Sequence, residues 1–372
     1  VSTTAPSTRP DRIMFVVTSL HGGGAEFVAR TWMQWLLDEG YHVDVVTTSS
    51  KATDEYLPEG AVLHRIGNGT GHVGKAKMLK ELFQRRTPDV AIGLQGYPNI
   101  VLLAAAETTP KRYRPKTIVS ERNLVSLGIP GFSKVQKVQL GLAKTLYRRA
   151  DHVIAISHPV AGELVAGFGV SGERCTVVPN PATAKVDLTQ RVHRVPGAAN
   201  GLQIVLPCRL VVQKRPELAI RAAEELGRRG VDVRVVSFGG GPLLDSMRSE
   251  ATERNVVFED MGWVEDWFTH FDENAVVLLP SLREGFGNVL VEAAAAGVPS
   301  VAVSGALGVA DAIVPGLTGE LSLTASASDL ADALLRASEL EVTGVERWLD
   351  RFSLESSGRA LEIVLARVMA QP

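Results

Sequence analysis

Cysteine is nearly absent: the 372 residues contain only Cys175 and Cys208. Each lies inside or beside an apolar strand-like run, so neither a disulfide framework nor a structural zinc site is encoded. No apolar run approaches 18 residues, which excludes a transmembrane helix. Residues 1–11 open with a Ser/Thr/Pro-rich stretch that has no hydrophobic signal region and reads as a disordered tail. The expected location is therefore cytoplasmic. Zinc-finger spacing and aromatic RNA-binding signatures are missing, and the pI lies below 7, so no nucleic-acid partner is expected. The dinucleotide fingerprint fails as well. Gly22 and Gly24 are followed by Phe27 where a third glycine is needed, and the second strand ends Val46-Thr47-Thr48-Ser49 without an acidic residue. No G-x-x-x-x-G-K-[ST] run occurs. Dehydrogenase and P-loop ATPase classes drop out.

What is present is an alternating pattern long enough for two domains. Val/Ile-rich strands are expected at Ile13–Thr18, His42–Thr48, Val62–Ile66, Asp89–Gln95, Thr117–Ser120, His152–Ser157 and Cys175–Pro179. After an irregular stretch, Lys185–Gly201, that reads as an interdomain linker, they resume at Gln203–Pro207, Asp232–Phe238, Val256–Phe258, Ala275–Pro280 and Ser300–Ser304. Several are nearly continuous apolar runs, as in parallel strands covered on both faces by helices. Helical spacing recurs between them, as in Ala25–Asp38 with Val28, Trp32, Trp35 and Leu36. The expected fold class is α/β, two Rossmann-like doubly wound parallel-sheet domains facing a central cleft. The expected division is residues 12–194, 195–353, and a terminal helix over 354–372 packing back on the first domain. Charge is uneven: residues 1–195 hold 24 Lys+Arg against 16 Asp+Glu, and the remainder 15 against 25. The first half is thus suited to meeting something anionic.

Three local patterns carry chemistry. The first strand runs into Gly22-Gly23-Gly24-Ala25 ahead of a helix, so main-chain N–H groups and a helix N-terminus can face a phosphate; the alternative is a turn that merely needs positive φ. The strand Gln203–Pro207 leads to Arg209 and Lys214, a fork and a point charge suited to clamping a diphosphate; the alternative is a solvated loop. The strand Ala275–Pro280 leads to Glu284-Gly285-Phe286-Gly287-Asn288-Val289, with Glu292 inside the following helix. Two such carboxylates suit ligand hydroxyls, as on a sugar. A charge at a helix N-terminus and a surface residue would be the plain alternative, but Val-Leu-Val-Glu-Ala-Ala-Ala-Ala is apolar on most faces and argues for a buried Glu292 that needs a partner.

Glu284 with Glu292 resembles the E-x7-E motif of retaining glycosyltransferases of family 4, which have the two-domain GT-B fold. The Gly22–Ala25 turn, Arg209 with Lys214, Gly239-Gly240-Gly241-Pro242, Gly262-Trp263-Val264 and Gly308-Val309-Ala310-Asp311 follow in the family's order, so the resemblance covers nearly the whole chain. It implies that Arg209 and Lys214 bind the donor diphosphate, Glu284 the transferred sugar and Glu292 the ribose. Main-chain groups of Gly240 and of Gly285, Phe286, Gly287, Asn288 and Val289 would also hold the donor, Trp263 and Val264 would border its base, and Gly23 and Gly24 would approach from the opposite domain. The implied activity is transfer of a hexose or N-acetylhexosamine from a UDP- or GDP-linked donor to a glycan, lipid-linked or small hydroxylated acceptor. No D-x-D pair occurs and the eight histidines do not cluster, so metal-independent transfer without a cofactor is expected. A same-fold nucleotide-sugar epimerase and a non-catalytic sugar-nucleotide binding protein are the alternatives.

The chain departs from the family where relatives carry a histidine after the fifth strand. Ser120-Glu121-Arg122-Asn123 stands there, with Glu121 or Arg122 the candidate for the acceptor side, the alternative being a segment that only shapes the pocket. The stretch Lys134–Arg149 has Val135, Val138, Leu142 and Leu146 at helical spacing beside Lys134, Lys137, Lys144, Arg148 and Arg149. It reads either as a core-facing helix with a solvated basic face or as a peripheral contact with an anionic membrane.

Overall fold

A computed structural model describes residues 9–49, 56–67 and 71–371. Residues 1–8, most of the expected tail, lie outside the described residues. Contacts divide the chain into one unit of residues 1–181 with 354–372 and another of residues 182–353.

The first unit runs β1 Arg12–Val17, α1 Gly24–Asp38, β2 His42–Thr47, β3 Val62–Arg65, α2 His72–Arg86, β4 Val90–Leu94, α3 Gly96–Thr108, β5 Lys116–Glu121, α4 Lys134–Leu146, β6 His152–Ala155, α5 His158–Phe168 and β7 Cys175–Val177. Its sheet has the order β3-β2-β1-β4-β5-β6-β7 with every pairing parallel. The second unit runs β8 Leu202–Leu206, α6 Glu217–Arg228, β9 Val233–Ser237, α7 Leu244–Glu253, β10 Val257–Asp260, β11 Ala275–Leu279, α8 Asn288–Ala295, β12 Ser300–Val303, β13 Gly319–Ser322, α9 Ala327–Ser338 and α10 Glu346–Leu349. Its sheet, also parallel, has the order β10-β9-β8-β11-β12-β13. The central strands β4, β8 and β11 are buried along their whole length, which explains their mostly aliphatic sequence.

Helix α11, Leu354–Met369, closes the first unit. Leu361, Val364, Leu365 and Val368 join the core that holds Trp32 and Leu36 of α1. Trp32 Nε1 donates to Ser357 Oγ at 2.9 Å, and that hydroxyl donates to Pro179 O at 2.6 Å. A side chain on Gly358 would collide with the Trp35 ring, so the close approach of the two helices requires glycine there.

Three features differ from the sequence expectation. The division falls after Pro181 rather than near Val195. The irregular 185–201 stretch is bound to the second unit through Val192 N to Ala296 O, Val195 N to Glu273 O and Gly197 N to Ser338 O. Strand β13 was not foreseen, because Gly-Glu-Leu-Ser has little β propensity; Gly319 lets it lie directly on Ser300. In α4 the apolar stripe does not face the core: Val135, Val138 and Leu142 are 60, 64 and 46% exposed, while Ala143 and the following Tyr147 are buried. Among the described residues no helix is long and apolar enough to cross a membrane.

Strand order reverses between β1 and β4 in one sheet and between β8 and β11 in the other. The crevice outside the carboxyl ends of those strands is where open α/β sheets bind ligands. The loops after β1, β8 and β11 carry Gly23, Arg209, Lys214 and Glu284.

Candidate active site

In the second unit, the loops after β8 and β11 are sewn together by main-chain and side-chain bonds. Leu282 N donates to Gln213 O at 2.9 Å, and Gln213 Nε2 to Arg283 O at 3.2 Å. Arg215, held at φ +47°, donates from its guanidinium to Pro280 O and Ser281 O, each at 2.8 Å. This seam brings Lys214 onto Glu284. Lys214 Nζ pairs with Glu284 Oε1, which also accepts from Ser281 Oγ at 2.6 Å. Glu284 is buried, and its main chain is fixed by Glu284 N donating to Ala306 O at 3.1 Å. A side chain at Gly308 would strike the Glu284 and Gly285 carbonyls, so that glycine lets the 304–311 segment back directly onto the turn.

Arg209 sits beside this pair, between buried Cys208 and Leu210, with its side chain exposed. That side chain makes no hydrogen bond or ion pair among the described residues. Burial pushes the Cys208 thiol up to about 12, with Glu284 adding to the rise and Lys214 and Arg209 opposing it. The three charged groups therefore lie within electrostatic reach of one sulfur. The glycine run behind the loop divides its labour. Side chains at Gly239 or Gly241 would strike the carbonyls of Cys208 and Leu210, whereas nothing lies within 4 Å of a side chain at Gly240. Two of these glycines serve backbone packing, and Gly240 alone of the three is open to a ligand.

The Glu284 turn ends in Gly287, whose φ of +106° suits only glycine. Helix α8 starts with no side-chain cap at its N-terminus, so the positive end of its dipole lies at the turn without a side-chain oxygen bonded to it, which favours an anion there. Gly285 and Phe286 are buried. The Phe286 ring packs on Phe352 at 5.3 Å between centroids, leaving only its main chain to serve a ligand.

Glu292 is buried inside α8 as its apolar neighbours require. Its Oε2 accepts from Trp267 Nε1 at 2.9 Å and pairs with Lys185 Nζ at 3.1 Å. Burial raises its carboxyl above the usual range, and Lys185 is the main counterweight. Trp263 is 71% exposed, free to offer its face to a planar group, and Val264 is half-buried beside it. Ser281, Trp267 and Lys185 were not singled out from sequence. A second tryptophan four residues after Trp263 was the available signal for Trp267; Lys185 lay in apparent linker and had none.

In the first unit, Gly23 and Gly24 are exposed at the start of α1, and nothing lies within 4 Å of a side chain placed at Gly23. Glu121 ends β5 in a buried network. Its Oε2 accepts from Tyr147 Oη at 2.9 Å and its Oε1 from Arg122 N at 3.0 Å, while Asn99 Nδ2 donates to Tyr147 Oη at 2.9 Å. Burial pushes the Glu121 carboxyl up to about 7 and draws the buried Arg122 guanidinium down to about 10.

A family model described as "Glycosyltransferase Family 4" matches residues 22–184, and one described as "Glycosyl transferases group 1" matches residues 201–339. A D-inositol 3-phosphate glycosyltransferase of Pseudarthrobacter chlorophenolicus is 30% identical over 345 residues, 84% of this chain and 81% of that protein. A GDP-mannose-dependent alpha-(1-6)-phosphatidylinositol monomannoside mannosyltransferase of Mycolicibacterium smegmatis is 28% identical over 253 residues, 61% of this chain and 66% of that one. The chain spans about half to two thirds of the length of the first curated relatives it matches. Among solved structures, a lipopolysaccharide outer core galactosyltransferase superposes with a TM-score of 0.76 at 18% identity, covering 95% of this chain and 98% of that one. An Anabaena protein solved in complex with UDP gives 0.74 at 18% identity, covering 96% and 100%.

Proposed function

Because the chain belongs to glycosyltransferase family 4, we propose that it transfers a hexosyl or N-acetylhexosaminyl group from a nucleotide-diphosphate sugar, UDP- or GDP-linked, to a hydroxylated acceptor, with retention and without a metal. The observation that carries this reading is the convergence, at the carboxyl ends of β8 and β11, of an Arg209 side chain unpartnered among the described residues, the Lys214–Glu284 pair and the start of α8 without a side-chain cap.

In this reading the diphosphate lies against Arg209, Lys214 and the amides from Gly285 to Val289, with the Gly240 main chain beside it. Lys214 turns from Glu284 towards a phosphate oxygen, freeing the carboxylate to accept from sugar hydroxyls. Glu292 takes the ribose, and Trp263 and Val264 border the base. The bond between the anomeric carbon and the β-phosphate oxygen breaks, its electron pair stays on the phosphate, and an oxocarbenium-like centre develops. Preorganised cations and amides aimed at that growing charge contribute several kcal/mol. The acceptor oxygen bonds on the same face, and its proton passes to the departing phosphate. The first unit contributes Gly23 and Gly24 as main-chain phosphate contacts and Glu121 for the acceptor side. The mannosyltransferase relative uses GDP-mannose and one neighbour binds UDP, which supports a nucleotide-linked donor and leaves the base to experiment.

A thermal-shift series with UDP, GDP, ADP and TDP tests this directly. One diphosphate should raise the melting temperature, and Arg209→Ala should remove the rise. Turnover should release nucleotide only when acceptor is supplied and should survive EDTA. Equal stabilisation of Arg209→Ala, or activity restored only by a divalent cation, refutes the assignment.

A further inference from the structure

We infer that the α4 face of the first unit docks on an anionic lipid bilayer. Val135, Val138 and Leu142 lie three and four residues apart, and so line one side of the helix. All three are exposed. The helix is firmly begun: Ser133 and Gln136 form a reciprocal cap, Gln136 N donating to Ser133 Oγ at 3.3 Å and Ser133 N to Gln136 Oε1 at 2.9 Å. Its inner face is satisfied by Ala143 and by Tyr147 just beyond it. An ordered helix thus holds an aliphatic stripe in water, an arrangement that favours a covering surface.

The charges around the stripe say what covers it. Lys134, Lys137 and Arg148 are exposed and make no ion pair among the described residues. Glu107 accepts from both Arg114 at 2.9 Å and Arg149 at 3.2 Å, which ties the basic segment Lys111–Arg114 to the same end of α4. No acidic residue occurs between Arg122 and Arg149. A two-fold contact with a second copy would set this basic face against itself. An anionic bilayer answers both features: headgroups meet the cations, and the aliphatic side chains enter the acyl boundary.

The inference stands apart from the transfer reaction and is tested without it. The whole chain is sedimented with vesicles of phosphatidylcholine alone and of phosphatidylcholine with phosphatidylglycerol, at low and high salt. Binding is expected only to the anionic vesicles and should weaken with salt. Val138→Asp with Leu142→Asp should lower binding more than tenfold. Lys134→Gln with Lys137→Gln should lower it about fivefold per charge. All four positions are exposed, so the variants should melt as the parent does. No binding to anionic vesicles at low salt overturns the inference, as does parental binding by the aspartate variant. So does elution of the parent as a dimer that the aspartate pair dissociates, which would assign the face to a second copy.

Discussion

The carboxyl edges of the two sheets share a topology but treat charge differently. Behind β8 and β11 the loops interlock, each acidic side chain faces a lysine, and Arg209 is left open. Behind β5 of the first sheet, Glu121 has no lysine. Its partners are a phenol and a main-chain amide beneath the surface, and its carboxyl is pushed up to about 7. A preorganised cationic edge suits a ligand that arrives charged and leaves more charged. The edge with a neutralisable acid and an open glycine turn suits one that brings hydroxyls. In the proposed transfer the contrast becomes one between a donor side built on ion pairs and an acceptor side built on neutral hydrogen bonds.

The largest expected effect comes from removing the open cation. Arg209→Ala should lower turnover on the order of 1,000-fold, the loss typical of one transition-state donor, with its melting temperature unchanged because Arg209 holds nothing in the fold. Steady-state rates and a melt on the same preparation check it. Near-parental turnover would erase the distinction between the two edges.

The glycines sharpen it next. Gly241→Ala pushes a methyl group against the Leu210 carbonyl, a backbone atom that cannot swing aside, and should destabilise by about 3 kcal/mol. Gly23→Ala meets open space at an ordinary φ of −84°, so it should melt as the parent while weakening donor binding. Denaturant midpoints decide: equal losses in both variants would mean that the Gly23 turn is structural as well.

Much of this was legible in the sequence. The aliphatic runs marked twelve strands because buried parallel strands need no polar alternation. Arg209, Lys214, Glu284 and Glu292 stood out because charges beside strand ends are conspicuous. Tertiary choices were hidden. Helix α4 carries two sets of apolar residues at helical spacing, Val135, Val138 and Leu142 on one side and Leu140, Ala143 and Tyr147 on another, and periodicity alone does not say which turns inward. The composition of 185–201 resembled a linker because its anchoring bonds are main-chain ones, invisible to side-chain patterns. Trp267 and Lys185 reach Glu292 only after folding.

The neutral side has its own signature in pH. Glu121 binds its proton more tightly folded than unfolded, since its carboxyl rises from 4.5 to about 7. Its contribution is complete below pH 4.5 and is lost as pH climbs to about 7, a change of about 3 kcal/mol if nothing relaxes. Glu121→Gln should flatten that slope and leave the variant the more stable partner at pH 8. Denaturant titrations at pH 5 and pH 8 measure it. An unaltered slope would place the titration on another group.

Lys185→Gln probes the donor side most gently. Glu292 is buried, and Lys185 is the chief force keeping its carboxylate charged. Without that lysine the carboxyl should rise further, leaving Trp267 Nε1 as its remaining donor. A charged oxygen accepts ribose hydroxyls more strongly than a neutral one, so the donor KM should rise about fivefold at pH 7 and more steeply as pH falls. The turnover number should hold, because the ribose is remote from the breaking bond and its binding is nearly uniform between ground and transition states. Lys185→Arg, which keeps the charge, should restore most of the affinity. A purely structural role for Lys185 would instead lower the melting temperature and leave the pH profile of KM in place, and that outcome would remove Glu292 from the ion-paired donor side.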